Sequence, residues 1–112
     1  KGFLALPGGF TDPNESAEEA ARRECREETG VEPISIDYVC SFPNTYPYKG
    51  MVYKTCDLFF TASLPLDYTL SAQEGEVQEF NWLTINIIED IEQLPLAFPS
   101  ARKALLSWFA KK

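Results

Sequence analysis

The stretch that decides the fold is GFTDPNESAEEAARRECREETGV, residues 9–31. Ser16 is followed three positions later by Glu19, the spacing of a capping box, in which hydroxyl and carboxylate satisfy free backbone N–H groups. The helix it opens should run through Ala20 and Glu24 to about Thr29. Gly30 can supply the left-handed conformation that ends it, and Pro33 blocks continuation. At the helical rotation of roughly 100° per residue, Glu24, Glu27 and Glu28 fall within about 100° of arc. Ala17, Ala20 and Ala21 lie on that side a turn or more earlier, while Arg22, Arg26 and Glu19 point the opposite way. The small residues mark the inward face, and three carboxylates continue it to the edge of the core. Like charges held that close repel one another. A hard divalent cation resolves the conflict, because Mg²⁺ prefers oxygen ligands and keeps waters that a phosphate can displace. On the helix alone, a solvated acidic face is an equally open reading.

Working outward, Phe3 to Leu6 is a short apolar run stopped by Pro7-Gly8-Gly9, a strand entering a tight loop, and Asp12-Pro13-Asn14 is a turn. Beyond the helix the period changes. Ile34 to Val39 alternates at period two and predicts a strand. Pro43 to Gly50, rich in Tyr and Pro, predicts a loop. Met51 to Ala62 is β-branched and aromatic, and Phe59-Phe60 suggests burial on both faces of a central strand. Ser63 to Gly75 reads as a connection and Val77 to Thr84 as a further strand. Asn86 is placed to cap a short helix over Ile87 to Leu94. Ser100 is placed to open the last helix, where Ala101, Ala104, Leu105, Trp108 and Phe109 recur at helical spacing. The class is α+β, and with no repeat or linker in sight residues 1–112 read as a single domain.

Composition narrows the chemistry. Among 112 residues, 17 acidic side chains outnumber 10 basic ones for a formal charge of −7, which argues against a nucleic-acid partner. Histidine is absent, which removes Ser-His-Asp and Cys-His nucleophiles and imidazole zinc sites. Apolar residues make up 45%, enough for a core, yet no apolar run has the length of a membrane span, so no membrane partner is expected. Cys25, Cys40 and Cys56 are odd in number and form no CxxC pair. They read as reduced thiols in a cytoplasmic protein.

The segment Gly9, five residues, Glu15, seven residues, Arg23-Glu24-Cys25-Arg26-Glu27-Glu28-Thr29-Gly30-Val31 resembles the Nudix box, G-x5-E-x7-R-E-U-x-E-E-x-G-U, with U a bulky aliphatic residue. One departure is Cys25 at the first aliphatic position, where a thiol packs as a small hydrophobe. Leu6-Pro7-Gly8-Gly9 is similar to the loop that precedes such boxes. The resemblance implies a Nudix fold, a mixed sheet sandwiched between helices (α/β/α), with one or two more strands before the loop, so residues are expected upstream of Lys1. It also implies Mg²⁺-dependent cleavage of a nucleoside diphosphate linked to another moiety, with Mn²⁺ as a substitute ion, a small nucleotide as substrate and a homodimer as assembly. Carried over by position, Glu24, Glu27 and Glu28 resemble the metal-binding carboxylates, the Gly8 carbonyl a further ligand, Arg23 the residue that orients them, and Glu15 a support of the loop–helix junction. Glu76, in a segment running to Trp82, is the favoured base; Glu74 is the runner-up, and Glu79 reads equally as a surface residue.

Ser41-Phe42-Pro43-Asn44-Thr45-Tyr46-Pro47-Tyr48 stands where NADH pyrophosphatases carry S-Q-P-W-P-F-P-x-S. It keeps the serine and a Phe-Pro pair but lacks the Gln-Pro-Trp portion. Leu96 to Arg102 also resembles that branch. Together they imply NADH, NAD or ADP-ribose as substrate, with Phe10, Phe42 and Tyr46 as candidates to stack on it, although such aromatics serve as well as the hydrophobic lid of a turn. A nucleoside triphosphate pyrophosphatase and a ligand-sensing module are the competing readings. The intact box carboxylates disfavour the second. An isomerase of isoprenoid diphosphates would be expected to need a reactive cysteine, which the strand positions of Cys40 and Cys56 do not suggest.

Overall fold

The computed structural model describes Leu6, residues 9–71 and residues 83–112. Helix α1 spans Ala17–Thr29, strand β1 Ser35–Tyr48, strand β2 Met51–Ser63, helix α2 Ile88–Glu92 and helix α3 Pro99–Ala110. β1 and β2 pair as a two-stranded sheet. The expected strands over Phe3–Leu6 and Val77–Thr84 fall wholly or largely on residues outside the described ones. The chain gathers into two compact units, one of Pro7–Tyr38 with Phe60–Leu83, the other of Lys1–Leu6, Val39–Phe59 and Thr84–Lys112.

In the α1 unit the helix begins and ends where its sequence says it should. Ser16 Oγ accepts the Glu19 N–H at 3.1 Å and Glu19 returns an oxygen to the Ser16 N–H at 2.8 Å, so two free donors are satisfied reciprocally. Just upstream, the Asp12-Pro13-Asn14 turn closes on Glu15 N–H to Asp12 O at 3.2 Å, with Asn14 in the left-handed region. Gly30 closes the helix at φ 74°, its N–H on the Arg26 carbonyl at 2.8 Å. Thr29 then accepts the Ser71 N–H at 2.7 Å, and Ser63 accepts the Ile34 N–H at 2.7 Å. Ala20 and Val31 are buried here, and Tyr38 meets Phe60 edge to face at 5.7 Å.

The other unit departs from expectation in three places. The loop foreseen over Pro43–Gly50 is strand as far as Tyr48. Phe42, Asn44 and Tyr46 alternate half-buried with exposed Pro43, Thr45 and Pro47, so the prolines fall on one outward parity where a pleated chain tolerates them. Only Lys49 and Gly50 turn, at φ 50° and 79°, the two positive angles that suit a two-residue hairpin. Asn86 does not cap α2: the N-cap is Ile87, and Asp90 Oδ2 accepts the N–H groups of Asn86 at 2.8 Å and Ile87 at 3.0 Å. α3 opens on Pro99, whose missing N–H costs nothing in a first turn. Ser100 is the next residue, 2% exposed, and donates to Asp57 Oδ2 at 2.9 Å. Asp57 also accepts from Asn44 Nδ2 at 2.9 Å and Thr55 Oγ1 at 3.0 Å, which ties the hairpin to the start of α3. Arg102 donates to the carbonyls of Ile91, Glu92 and Leu94, closing the end of α2 over buried Ile91, Ala101 and Ala104. No helix among the described residues is long and apolar enough to cross a membrane.

A Cβ on Gly30 would collide with Ser71, reaching 3.0 Å from its carbonyl oxygen, at a φ that side chains rarely adopt. Gly30→Ala is therefore expected to lower stability by about 1–2 kcal/mol, read as a lower urea midpoint with unchanged slope; an unchanged midpoint would contradict the helix end described here.

Candidate active site

Five acceptors converge on one guanidinium. Arg23 projects from the second turn of α1, and its side chain is only 15% exposed. Its Nε lies 2.8 Å from Glu15 Oε2 and its Nη2 3.1 Å from Glu15 Oε1, the forked geometry in which arginine binds carboxylate best. Nη2 also donates to the Phe10 carbonyl at 3.0 Å, and Asp12 Oδ2 stands 3.2 Å from Nε. Nη1 reaches the other way, 3.3 Å from Glu24 Oε2 and 3.1 Å from Glu27 Oε1. The Asp12 N–H donates to Glu15 Oε1 at 2.8 Å, so the loop before the helix is strapped to the same carboxylate. The Arg23 hydrogen bonds and the Asp12 N–H hold the Glu15 carboxyl below its ordinary value, and Glu15 in turn raises that of Arg23.

The helix turns Ala20 and Glu24 inward as the spacing predicts, but leaves Glu27 exposed. Ala20 is buried and Glu24 is 14% exposed, whereas Glu27 is 43% exposed and Arg22 and Arg26 turn outward to Glu32. Arg22 Nη1 meets Glu32 Oε2 at 2.7 Å and lowers the Glu32 pKa. Glu28 follows Glu24 by one turn on the same stripe. Backbone approaches closest at Gly9, where a Cβ would overlap the Glu24 carboxylate and stand 2.8 Å from its Cδ. Only glycine leaves room for that approach. Cys25, at the departing aliphatic position, turns its thiol to the Val31 carbonyl at 3.6 Å, with Thr29 Oγ1 bonded to the Cys25 carbonyl at 2.5 Å.

The donor chemistry suits a hard cation: three carboxylates at i, i+3 and i+4 offer oxygens from one stripe, one of them pressed against glycine backbone. Arginine sets the present geometry of Glu24 and Glu27. Among the described residues no three Asp, Glu, Cys or His side chains are grouped closely enough to hold a metal ion, and Arg23 Nη1 occupies the space between Glu24 and Glu27. Gly8, Glu74, Glu76 and Glu79 lie outside the described residues. Phe10 stands beside the site with 61% of its surface exposed. Phe42 and Tyr46 belong to the other unit, on the half-buried parity of β1, with Tyr46 6.0 Å from the Phe98 ring and Phe42 under Lys103. By sequence Asp12 is a turn residue; its ion pair with Arg23 has no signal in the spacing, since it falls among the five unspecified positions before Glu15.

Residues 1–109 match the NUDIX domain family. The chain belongs to that family. Among its relatives, the "NAD-capped RNA hydrolase NudC" of Deinococcus radiodurans is 34% identical over 97 residues, 87% of this chain and 31% of that protein. The "NAD-capped RNA hydrolase NUDT12" of Homo sapiens is 28% identical over 90 residues, 80% of this chain and 18% of that one. The chain thus spans a third or less of the length of both. The solution structure of the E. coli ORF135 protein superposes with a TM-score of 0.61 at 29% identity, covering 95% of this chain and 68% of that one. An α+β Nudix fold accommodates the elements described above.

Because Glu15 is stabilised in its ionised form by folding, its contribution is present above the ordinary glutamate value of 4.5 and is lost as pH falls through the lower native one. Thermal midpoints measured from neutral to acid pH are expected to fall less steeply for Glu15→Gln, which starts lower, than for the unsubstituted protein. Parallel curves would show that the Arg23–Glu15 pair does not carry this dependence.

Proposed function

We propose that the protein is a divalent-metal-dependent pyrophosphohydrolase cleaving the diphosphate of a nucleoside diphosphate linked to another moiety, with NADH, NAD or ADP-ribose as substrate. The observation that supports it most is the gathering of Glu24 and Glu27 on the Arg23 guanidinium, with Glu28 on the same stripe and Gly9 backbone against Glu24. A structural ion pair needs one carboxylate; this helix supplies a row of them, in the spacing the family uses for metal. The relatives named for NAD-capped RNA hydrolysis favour a dinucleotide over a triphosphate.

In this reading Glu24, Glu27 and Glu28, with the Gly8 carbonyl, hold Mg²⁺, or Mn²⁺ in its place. The ion supplies charge neutralisation for the diphosphate and acidity for a bound water. Arg23 keeps the carboxylates apart and aimed, because its Nε and Nη2 remain fixed by Glu15 and Phe10 whichever cation Nη1 shares them with. Water attacks phosphorus in line, the bridging P–O bond breaks, and AMP leaves together with nicotinamide mononucleotide from NAD, its reduced form from NADH, or ribose 5-phosphate from ADP-ribose. The proton of that water passes to a carboxylate, assigned to Glu76. A homodimer and a cytoplasmic setting complete the reading.

With Mg²⁺ and NADH the full-length protein is expected to release AMP, and chelation by EDTA to stop it. Glu28→Gln removes a charge at constant volume, so turnover should fall by about a hundredfold or more with the circular dichroism spectrum unchanged. AMP release insensitive to EDTA, or a Glu28→Gln protein near the unsubstituted rate, would overturn the assignment.

A further inference from the structure

The way Arg23 allots its N–H groups leaves one of its neighbours without a bond. The single Nε–H goes to Glu15 Oε2 at 2.8 Å. Nη2 donates to Glu15 Oε1 at 3.1 Å and to the Phe10 carbonyl at 3.0 Å. Nη1 donates to Glu27 Oε1 at 3.1 Å and has Glu24 Oε2 3.3 Å away. Asp12 Oδ2 stands 3.2 Å from Nε, whose one hydrogen is already given to Glu15. Its contact with the arginine is one of charge alone.

Folding does not account for a carboxylate at that place. The Asp12 side chain is 63% exposed, and an ion pair so open to water contributes little to stability. The loop uses the Asp12 backbone instead, with its N–H on Glu15 Oε1 at 2.8 Å and its carbonyl accepting the Glu15 N–H at 3.2 Å. Nor is the charge needed for neutrality. Glu15, Glu24 and Glu27 already surround the one cation, and Asp12 adds a further anion to that surplus.

Its effect follows from which nitrogen it faces. The charge of a guanidinium is delocalised over the whole planar group. Asp12 and Glu15 face it at Nε, whereas Glu24 and Glu27 face it at Nη1. A carboxylate at Nε competes with those at Nη1 for the same positive charge, and so weakens the hold of the arginine on Glu24 and Glu27. It also deepens the negative potential around them. Both effects have the same sign for an incoming divalent cation, which must draw those two carboxylates away from Nη1.

We infer that Asp12 is a positioning residue for the divalent ion, acting through Arg23: it keeps the guanidinium drawn to the loop and leaves Glu24 and Glu27 available to the metal. The inference rests on the metal-dependent reading above. It adds to that reading a side chain outside the box pattern, since Asp12 occupies one of the unspecified positions between Gly9 and Glu15.

Two variants of the full-length protein test it. Asp12→Asn removes the charge and keeps both backbone bonds. Glu18→Gln removes an equal charge from the exposed first turn of α1, at a side chain that makes no ion pair with Arg23. Mn²⁺ binding is read from the electron paramagnetic resonance signal of the free ion. Asp12→Asn should raise Kd about tenfold, the scale on which outer partners of a metal site act. Glu18→Gln, a charge screened by solvent, should change it less than about twofold. The thermal midpoint of metal-free Asp12→Asn should match that of the unsubstituted protein. In metal-free ¹⁵N-labelled protein the Arg23 Nε–H signal should move in Asp12→Asn and hold its place in Glu18→Gln. An unchanged Kd in Asp12→Asn, an equal rise in both variants, or a rise accompanied by a lowered midpoint or an unmoved Arg23 signal would overturn the inference. Mn²⁺ bound with no effect of Asp12 defeats this inference alone. An unsubstituted protein that binds no Mn²⁺ defeats the metal-dependent reading and this inference with it, and Asp12-dependent binding without AMP release from NADH defeats the cleavage reading alone.

Discussion

Arg23 is the constraint on which the α1 unit depends. Its guanidinium satisfies Glu15 in a fork, fixes the Phe10 carbonyl and the Asp12 carboxylate, and still offers Nη1 to Glu24 and Glu27. Helix α1 carries an acidic first turn in Glu18 and Glu19 as well as the later glutamates, and little in its propensity favours so much like charge on one stripe. A delocalised cation that cannot be deprotonated answers that repulsion, and lysine could not, because a single ammonium has no fork to divide between loop and helix. The same contacts set the path of the chain from residue 9 to residue 15, so loop geometry and carboxylate placement are one problem with one solution.

The second unit is held by a different device. Asp57 collects hydroxyl and amide donors from its own hairpin and from the first turn of α3, while Arg102 collects carbonyls from the end of α2. Both groups are consumed in joining elements, which leaves the lysines, with Glu89 and Glu92, as the charges turned to solvent. One unit therefore concentrates anions around an arginine, and the other carries a small excess of cations over its described residues. A chain read only by its net charge hides that division.

Much of this was legible in the residues themselves. Ser16, Glu19 and Gly30 carry the helix bounds in their own side chains and backbone freedom, and the stripe of Glu24, Glu27 and Glu28 follows from rotation per residue. The strand through Pro43 and Pro47 was not legible, because two prolines in eight residues suggest a loop unless one knows that both fall on the outward parity. Asn86 and Ser100 looked like caps by residue type. The capping was done instead by Asp90, three residues inside the next turn, and by a proline whose missing donor suits a first helical position. Asp12 was out of reach for a different reason: its partner lies on the helix, and no local spacing reports a contact made by chain reversal.

Whether the glutamate stripe binds a divalent ion is the central claim, and paramagnetic broadening addresses it without any assay of turnover. Mn²⁺ added at substoichiometric amounts to ¹⁵N-labelled protein should broaden the amide signals of Gly9, Glu24, Glu27 and Glu28 first. Broadening that begins elsewhere, or that spreads evenly over the acidic surface, would contradict it.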